Sequence, residues 1–356
     1  YHLTKGDSEK VHEMALEVLN EYQDIVTEVS HNYHFPELHV NLNGHRILPF
    51  GTAAGLDKNG DVLYPLSHLF GFLEPGTVIV TPREGYARPR VAVDNKNFDI
   101  YNTQGFPSKG LEYFLSKVQD YRERGGKAQL FVSVCGIPQE AGKLDVAYRE
   151  LEILLDEINP YADGFVWNPF SPNTLALQQL RTTQEFRTSA QLISEKAGEK
   201  LKLVKMGPYD FKDAKKGQAW LDLVGAWIEG GGNGIVSVNT FMVPKEVVIQ
   251  NTGVNKWGYQ TAGRSGKFLQ PYREHAIRDA RQAFPNAVII ATGGIDSAEQ
   301  ALSAFEAGAN ALEGYTPYTF QGFGLLPKMA SGIKKTLHER GYETLEFYLR
   351  YAKKTR

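Results

Sequence analysis

Seven side chains capable of chemistry recur at one kind of place in this sequence. Lys58, Asn168, Ser171, Asn173, Lys205, Asn239 and Thr240 each stand at or just beyond the end of a short apolar run. If those runs are strands of one closed sheet, the seven converge at a single mouth. Amides and ammonium groups gathered there would be desolvated without partners unless a ligand supplied them. The ligand that matches is small, flat and polar, with many hydrogen-bonding positions.

A second constellation lies further on. Gly293 and Gly294 follow the run AVIIAT, and Tyr315 and Thr316 follow ALEG. Taken alone, a Gly-Gly pair is as readily an ordinary turn. Placed after the last two strands of a barrel it suits a phosphate, because glycine lets backbone N–H groups approach an anion closely. Lys205, in VKMGP, has two readings: a buried ion pair, or a cation that serves a ligand. In the second, a fixed ammonium stabilises the negative charge a reduced flavin carries near its nitrogen 1 and carbonyl 2, raising its reduction potential.

The elements that must position these groups are legible as eight runs. They are ILPFGTAAG from Ile47, GFLEPGTVIV from Gly71, LFVSVCG from Leu130, GFVWNPF from Gly164, LKLVKMG from Leu201, GIVSVNT from Gly234, AVIIATGG from Ala287 and ALEGYT from Ala311. Runs apolar on both faces, separated by helix-like stretches, predict buried parallel strands and crossover helices. The fold class expected is α/β, a (β/α)8 TIM barrel, with the active site at the C-terminal ends of its strands. The 356 residues, 42% hydrophobic and 22% charged, suffice for such a core. A formal charge of -2 leaves no basic excess for nucleic acid, and the single Cys135 allows neither an internal disulfide nor a thiolate metal cluster.

Ahead of the barrel, Val11, Ala15, Val18, Leu19, Tyr22, Ile25, Val26 and Val29 recur at helical spacing behind Ser8, a candidate N-cap. The spacing predicts one amphipathic helix over 8–29, packed on its own domain or turned toward a membrane or partner. Two parts follow: a helical extension over 1–40 and a barrel over 41–356. No apolar stretch is long enough to span a membrane, and the chain starts at Tyr1, so a preceding segment is conceivable.

Taken in order, the motifs resemble those of the dihydroorotate dehydrogenase family, in its class 2, quinone-dependent branch. They are SEKVHEMAL from Ser8, AAGLDKNG at 53–60, PGTV with TPREG and RPR between 75 and 90, NTQGF at 102–106, SPNT at 171–174, VKMGP at 204–208, VNT at 238–240, SGK at 265–267, TGGIDS at 292–297 and GYT at 314–316. The resemblance implies FMN as cofactor, dihydroorotate and orotate as ligands, and oxidation in pyrimidine biosynthesis with electrons passed to a quinone. It implies that Asn102, Asn168, Asn173 and Asn239 hold the pyrimidine ring, that Lys58 lies between flavin and the substrate carboxylate, and that Thr240 offers a substrate-side hydroxyl. Lys205 becomes the flavin lysine, with Ala54, Gly55, Lys58, Thr77, Gly266, Gly293, Gly294, Tyr315 and Thr316 as the other flavin contacts. Ser171 takes the acid-base position, which is Cys in class 1. Arg90 and Tyr315 match the inner end of a quinone tunnel capped by N-terminal helices, of which 8–29 matches the second part. Peripheral membrane contact is implied, at the cytoplasmic face of a bacterial inner membrane or the mitochondrial inner membrane, with a soluble cytoplasmic form as the alternative.

The chain departs from the pattern at Thr103, Gln104, Pro107, Ser133, Cys135 and Leu175–Leu177, with two additional residues between Thr77 and Thr81. Those departures keep two alternatives open, an FMN barrel oxidoreductase for a related ring and a weakly active flavin-binding homologue. On the chemistry, a ring alternating carbonyls with N–H groups matches carboxamides, which offer donor and acceptor together, and Lys58 supplies charge for a carboxylate. A serine is a poor base and needs a relay; Thr77 and Thr174 are both candidates.

Overall fold

The computed structural model describes residues 7–138, 143–171 and 174–351; Asn173, expected at the site, lies outside the described residues. A hairpin of β1 (Val40–Leu42) and β2 (His45–Ile47) precedes the barrel. Barrel strands are β3 (Phe50–Thr52) and β4 (Phe72–Leu73); β5 (Val91–Asp94) and β6 (Asp99–Asn102) interrupt; β7 (Gln129–Val134), β8 (Gly164–Trp167), β9 (Leu201–Lys205) and β10 (Gly234–Ser237) continue it. A second interruption, β11 (Phe241–Pro244) and β12 (Thr261–Gly266), comes before β13 (Val288–Ala291) and β14 (Ala311–Gly314). The eight barrel strands pair in parallel and close, β14 beside β3. Each of the eight apolar runs supplies one of them.

The physical reason is burial on both sides. Every residue of β8, β9, β10 and β14 is buried, because helices cover the outside and side chains fill the inside. At the bottom, Leu42 and Ile47 of the hairpin plug the barrel against Phe72, Phe131, Leu203 and Val236. Backbones approach so closely that β10 must begin with glycine: a Cβ on Gly234 would lie 1.8 Å from the Val288 carbonyl oxygen.

At the other end, β5, β6, β12 and β11 form an antiparallel sheet that the apolar runs did not predict. It pairs residues 91–102 with 241–266, and Asp99 fastens it to Arg264 at 2.5 Å. This sheet carries Asn102 and Gly266 to the mouth.

The N-terminal segment corrects two expectations. Asp7, not Ser8, is the N-cap, its Oδ1 accepting from the Glu9 and Lys10 amides at 3.0 and 3.2 Å. The helix is also broken at Tyr22 into α1 (Ser8–Glu21) and α2 (Gln23–Val29). Leu16, Leu19 and Val26 pack inward on the barrel core. Val18 (53% exposed) and Ile25 (55%) face outward with Met14, Tyr22 and Val29.

Candidate active site at the barrel mouth

One cavity at the C-terminal ends of the strands collects nearly all the expected residues. Asn102, Asn168, Ser171, Asn239 and Thr240 line it, as do Ala54, Gly55, Lys58, Thr77, Lys205, Gly266, Gly293, Gly294, Tyr315 and Thr316. Arg90 does not. It lines a second cavity beneath α1 with Glu9, His12, Arg88 and Lys109, and Lys58 borders both.

The amides at the mouth are oriented by one another. Asn239 Nδ2 donates to Asn168 Oδ1 at 3.2 Å, Asn168 Nδ2 donates to Thr77 Oγ1 at 2.9 Å, and Thr77 lies 3.0 Å from the Ser133 hydroxyl. The Thr240 amide donates to Asn239 Oδ1 at 2.7 Å. Chains of this kind preset which carboxamide atom faces a ligand. Asn102 Nδ2 reaches Gly263 O at 3.3 Å across the antiparallel sheet.

Ser171 Oγ lies 3.5 Å from Thr174 Oγ1. Of the two relay candidates, Thr174 is therefore the one beside the serine, while Thr77 belongs to the amide chain. Arg181, which sequence reasoning missed, fixes this turn by donating to Pro169 O at 2.9 Å and Ser171 O at 3.1 Å, its guanidinium over the Phe170 ring at 4.9 Å.

At the glycine-rich end, Gly266, Gly293 and Gly294 have φ of +106°, +107° and +69°, a region that favours glycine. Arg273, fully buried, donates to Gly293 O at 2.8 Å, and Gln270 donates to Gly294 O at 2.7 Å. With both carbonyls held from behind, the peptide planes of the pair are set. Burial pulls the Arg273 guanidinium down to about 10. Ser265 and Thr316 hydroxyls meet at 2.9 Å.

Lys205 combines the two readings its sequence left open. Its Nζ donates to Glu74 and to Glu313, each at 2.9 Å, yet it still borders the cavity. An ammonium has three donors, so two are engaged by carboxylates. Burial lowers its pKa, but Glu313 and Glu74 outweigh burial and hold it above the ordinary lysine value. Neither glutamate was among the expected site residues.

The departures sort by position. Cys135 is fully buried and donates to Gly136 O at 3.3 Å, with burial pushing its thiol up; it does not line the mouth. Thr103 donates to Thr261 O at 2.9 Å and braces the antiparallel sheet. Gln104 and Pro107 line the cavity, while Leu175 is exposed.

In the second cavity, Arg90 is clamped by Glu9 at 2.8 Å and donates to Glu84 O and Tyr86 O. His12, also missed, contacts Leu56 O at 2.8 Å and sits edge-on to Tyr315, ring centroids 5.5 Å apart. Tyr315 and Lys58 thus form the wall between the two chambers. Burial, aided by Lys58, pulls His12 from 6.5 down to about 4. The unfolded chain then binds a proton the folded chain refuses between those values. This stabilisation is present above pH 6.5 and lost as pH falls toward 4, about 1–2 kcal/mol of it by pH 5. Urea midpoints at pH 7 and pH 5 test this: the drop is expected to be larger in the wild type than in His12→Gln, and equal drops would contradict it.

The sequence model described as dihydroorotate dehydrogenase matches residues 37–337, most of the chain. The chain belongs to the dihydroorotate dehydrogenase family. A dihydroorotate dehydrogenase (quinone) of Pectobacterium atrosepticum is 30% identical over 333 residues, covering 92% of this chain and 96% of the relative. The mitochondrial dihydroorotate dehydrogenase (quinone) of Mus musculus is 31% identical over 324 residues, covering 86% and 78%. The dihydroorotate dehydrogenase of Eimeria tenella, solved in complex with ferulenol, superposes with a TM-score of 0.81 at 23% identity, covering 96% of this chain and 94% of that one. Its fold is the same barrel. Membership in the dihydroorotate dehydrogenase family implies a flavin, and the residues fit one. The glycine cradle has no room for side chains, a Cβ on Gly294 meeting Gly266 O at 2.8 Å, and a buried ammonium stands in the cavity's wall.

Proposed function

We propose that this chain oxidises dihydroorotate to orotate with FMN and passes the electrons to a quinone. The observation that carries the reading is that one cavity is lined both by a hydrogen-bonded amide chain and by a glycine cradle. Asn168, Asn239, Thr77 and Ser171, whose hydroxyl lies 3.5 Å from that of Thr174, share it with Gly266, Gly293, Gly294 and Lys205. The names of the relatives, dihydroorotate dehydrogenase (quinone), agree with it.

On this reading Asn102, Asn168, Asn173 and Asn239, with the Thr240 hydroxyl, hold the substrate ring and Lys58 faces its carboxylate. Burial lowers the Lys58 pKa, so an incoming carboxylate restores a counter-charge to a poorly solvated ammonium. Ser171 receives the proton lost from carbon 5 as its own moves to Thr174, whose hydroxyl passes it outward. Ala54, Gly55, Thr77, Gly266, Gly293, Gly294, Tyr315 and Thr316 cradle the FMN, and Lys205 faces its ring. When bound, FMN accepts the hydride from carbon 6.

Arg90, Tyr315 and His12 are assigned to the quinone chamber beneath α1. Outward residues Val18 and Ile25 suit shallow, peripheral contact with a bilayer; no helix among the described residues is long and apolar enough to cross one. The domain reading, an N-terminal extension over 1–40 joined to an FMN-binding barrel over 41–356, goes with this assignment.

Two experiments bear on it. Asn239→Ala and Asn168→Ala each weaken orotate binding by about 1–3 kcal/mol, as ring groups lose partners; calorimetry giving unchanged affinity would point to another substrate. In stopped-flow reoxidation a short-chain soluble quinone outpaces fumarate and NAD. Faster reoxidation by fumarate would remove the quinone from the proposal.

A further inference from the structure

In the wall of the cavity, which Lys205 and Glu313 both line, one ammonium faces two carboxylates. Glu74 follows β4, Glu313 lies on β14 and Lys205 ends β9, so three strands bring them together inside the barrel. The side chains of Glu74 and Glu313 are 0% and 1% exposed. Each spends one oxygen on Lys205 Nζ at 2.9 Å, and the other oxygen of each, Glu74 Oε1 and Glu313 Oε2, is buried without a hydrogen-bond donor. Fully ionised, the cluster carries a net -1 on side chains that are almost wholly buried, which is costly. Both carboxylates meet at one ammonium, and one proton between them would give each remaining acceptor oxygen a partner.

We infer that Glu74 and Glu313 share a single proton against Lys205, so that the cluster is neutral and acts as a proton store in the wall of the cavity. The ionisable groups bearing on Glu313 are Glu74 and Lys205, and Tyr318 feels its charge in turn. Burial and then Glu74 raise the Glu313 carboxyl well above the ordinary range, against the pull of Lys205. The direction agrees with the geometry.

The consequence for redox chemistry rests on the FMN reading given above. Two-electron reduction of FMN with one proton leaves one negative charge, and a cluster that has lost its shared proton opposes that charge. Over the pH range in which the shared proton is lost, reduction therefore takes up as much as one further proton, returned to the cluster. Lys205 alone would favour the reduced state at any pH; Lys205 held by this pair favours it only while the proton is present. Glu74 and Glu313 are positioning residues, acting on the flavin through Lys205 and the shared proton.

Infrared difference spectroscopy of the purified protein tests the proton without requiring turnover. Wild type at pH 7 is expected to show a protonated-carboxyl stretch that shifts in D2O and is missing from both Glu74→Gln and Glu313→Gln, since removing either partner leaves a single carboxylate paired with Lys205. The isosteric amides keep the fold. Persistence of the band in either variant, or its absence from wild type, would overturn the shared proton. Flavin midpoint potentials against pH give the second readout: the wild-type potential falls more steeply than that of Glu313→Gln over the range in which the band disappears. Parallel slopes would overturn the coupling. Protein that shows the band but takes up no FMN would instead refute the flavin reading and leave the proton pair standing.

Discussion

Replacing Ser171 with alanine is expected to slow reduction of the bound flavin by dihydroorotate by about two orders of magnitude or more, with FMN affinity unchanged. That is the size of effect for loss of a positioned proton acceptor. The expectation rests on geometry. The Ser171 carbonyl is held by Arg181 at 3.1 Å, which leaves its hydroxyl beside Thr174 at the cavity. Thr174→Val keeps the serine but removes the relay, so a smaller loss, roughly tenfold, is expected from the same assay. Rapid mixing under anaerobic conditions measures both. Equal rates in wild type and Ser171→Ala would take this serine out of the mechanism.

The second large effect concerns stability. Lys205→Met removes the only ammonium paired with two buried carboxylates in this cluster. Breaking a buried ion pair from one side typically costs about 3–5 kcal/mol, because the remaining charge is left uncompensated. Adding Glu74→Gln and Glu313→Gln to Lys205→Met removes those charges, and most of the loss should return. Urea unfolding of the single and triple variants checks this. A triple variant no more stable than the single one would mean that Lys205 stabilises the barrel by packing instead of charge.

The barrel was legible because parallel strands buried on both faces read as continuous apolar runs. GIVS and VIIA have no polar side to confuse them with a surface strand. The antiparallel sheet was not legible. Its strands are short, β5 alternating in burial over Val91–Asp94, and the pairing that joins its two halves, β6 with β12, links residues more than a hundred positions apart, so no local signal joins them. The single helix over 8–29 was a failure of another kind: helical spacing continues through Tyr22, while the backbone there leaves helical geometry.

At the site, amides and glycines at strand ends were readable from residue type and place alone. Groups acting through others were not. Arg181 lies in a polar stretch after the serine, and His12 is one position within an amphipathic pattern. Glu74 and Glu313 did leave a signal: each is a lone carboxylate in a run otherwise apolar, FLEPG and ALEGYT, inside a barrel where Lys205 also points. An acid inside a buried strand needs a partner, which is the signal that could have joined both to Lys205.

On the proposed function, this cavity brings dihydroorotate and a flavin together. Anaerobic addition of dihydroorotate to the purified, FMN-loaded protein, followed by its absorption spectrum, tests this most directly. The yellow oxidised spectrum is expected to bleach, with orotate appearing in amounts matching the flavin reduced; an FMN-loaded protein whose spectrum does not change on adding dihydroorotate would overturn the proposed function.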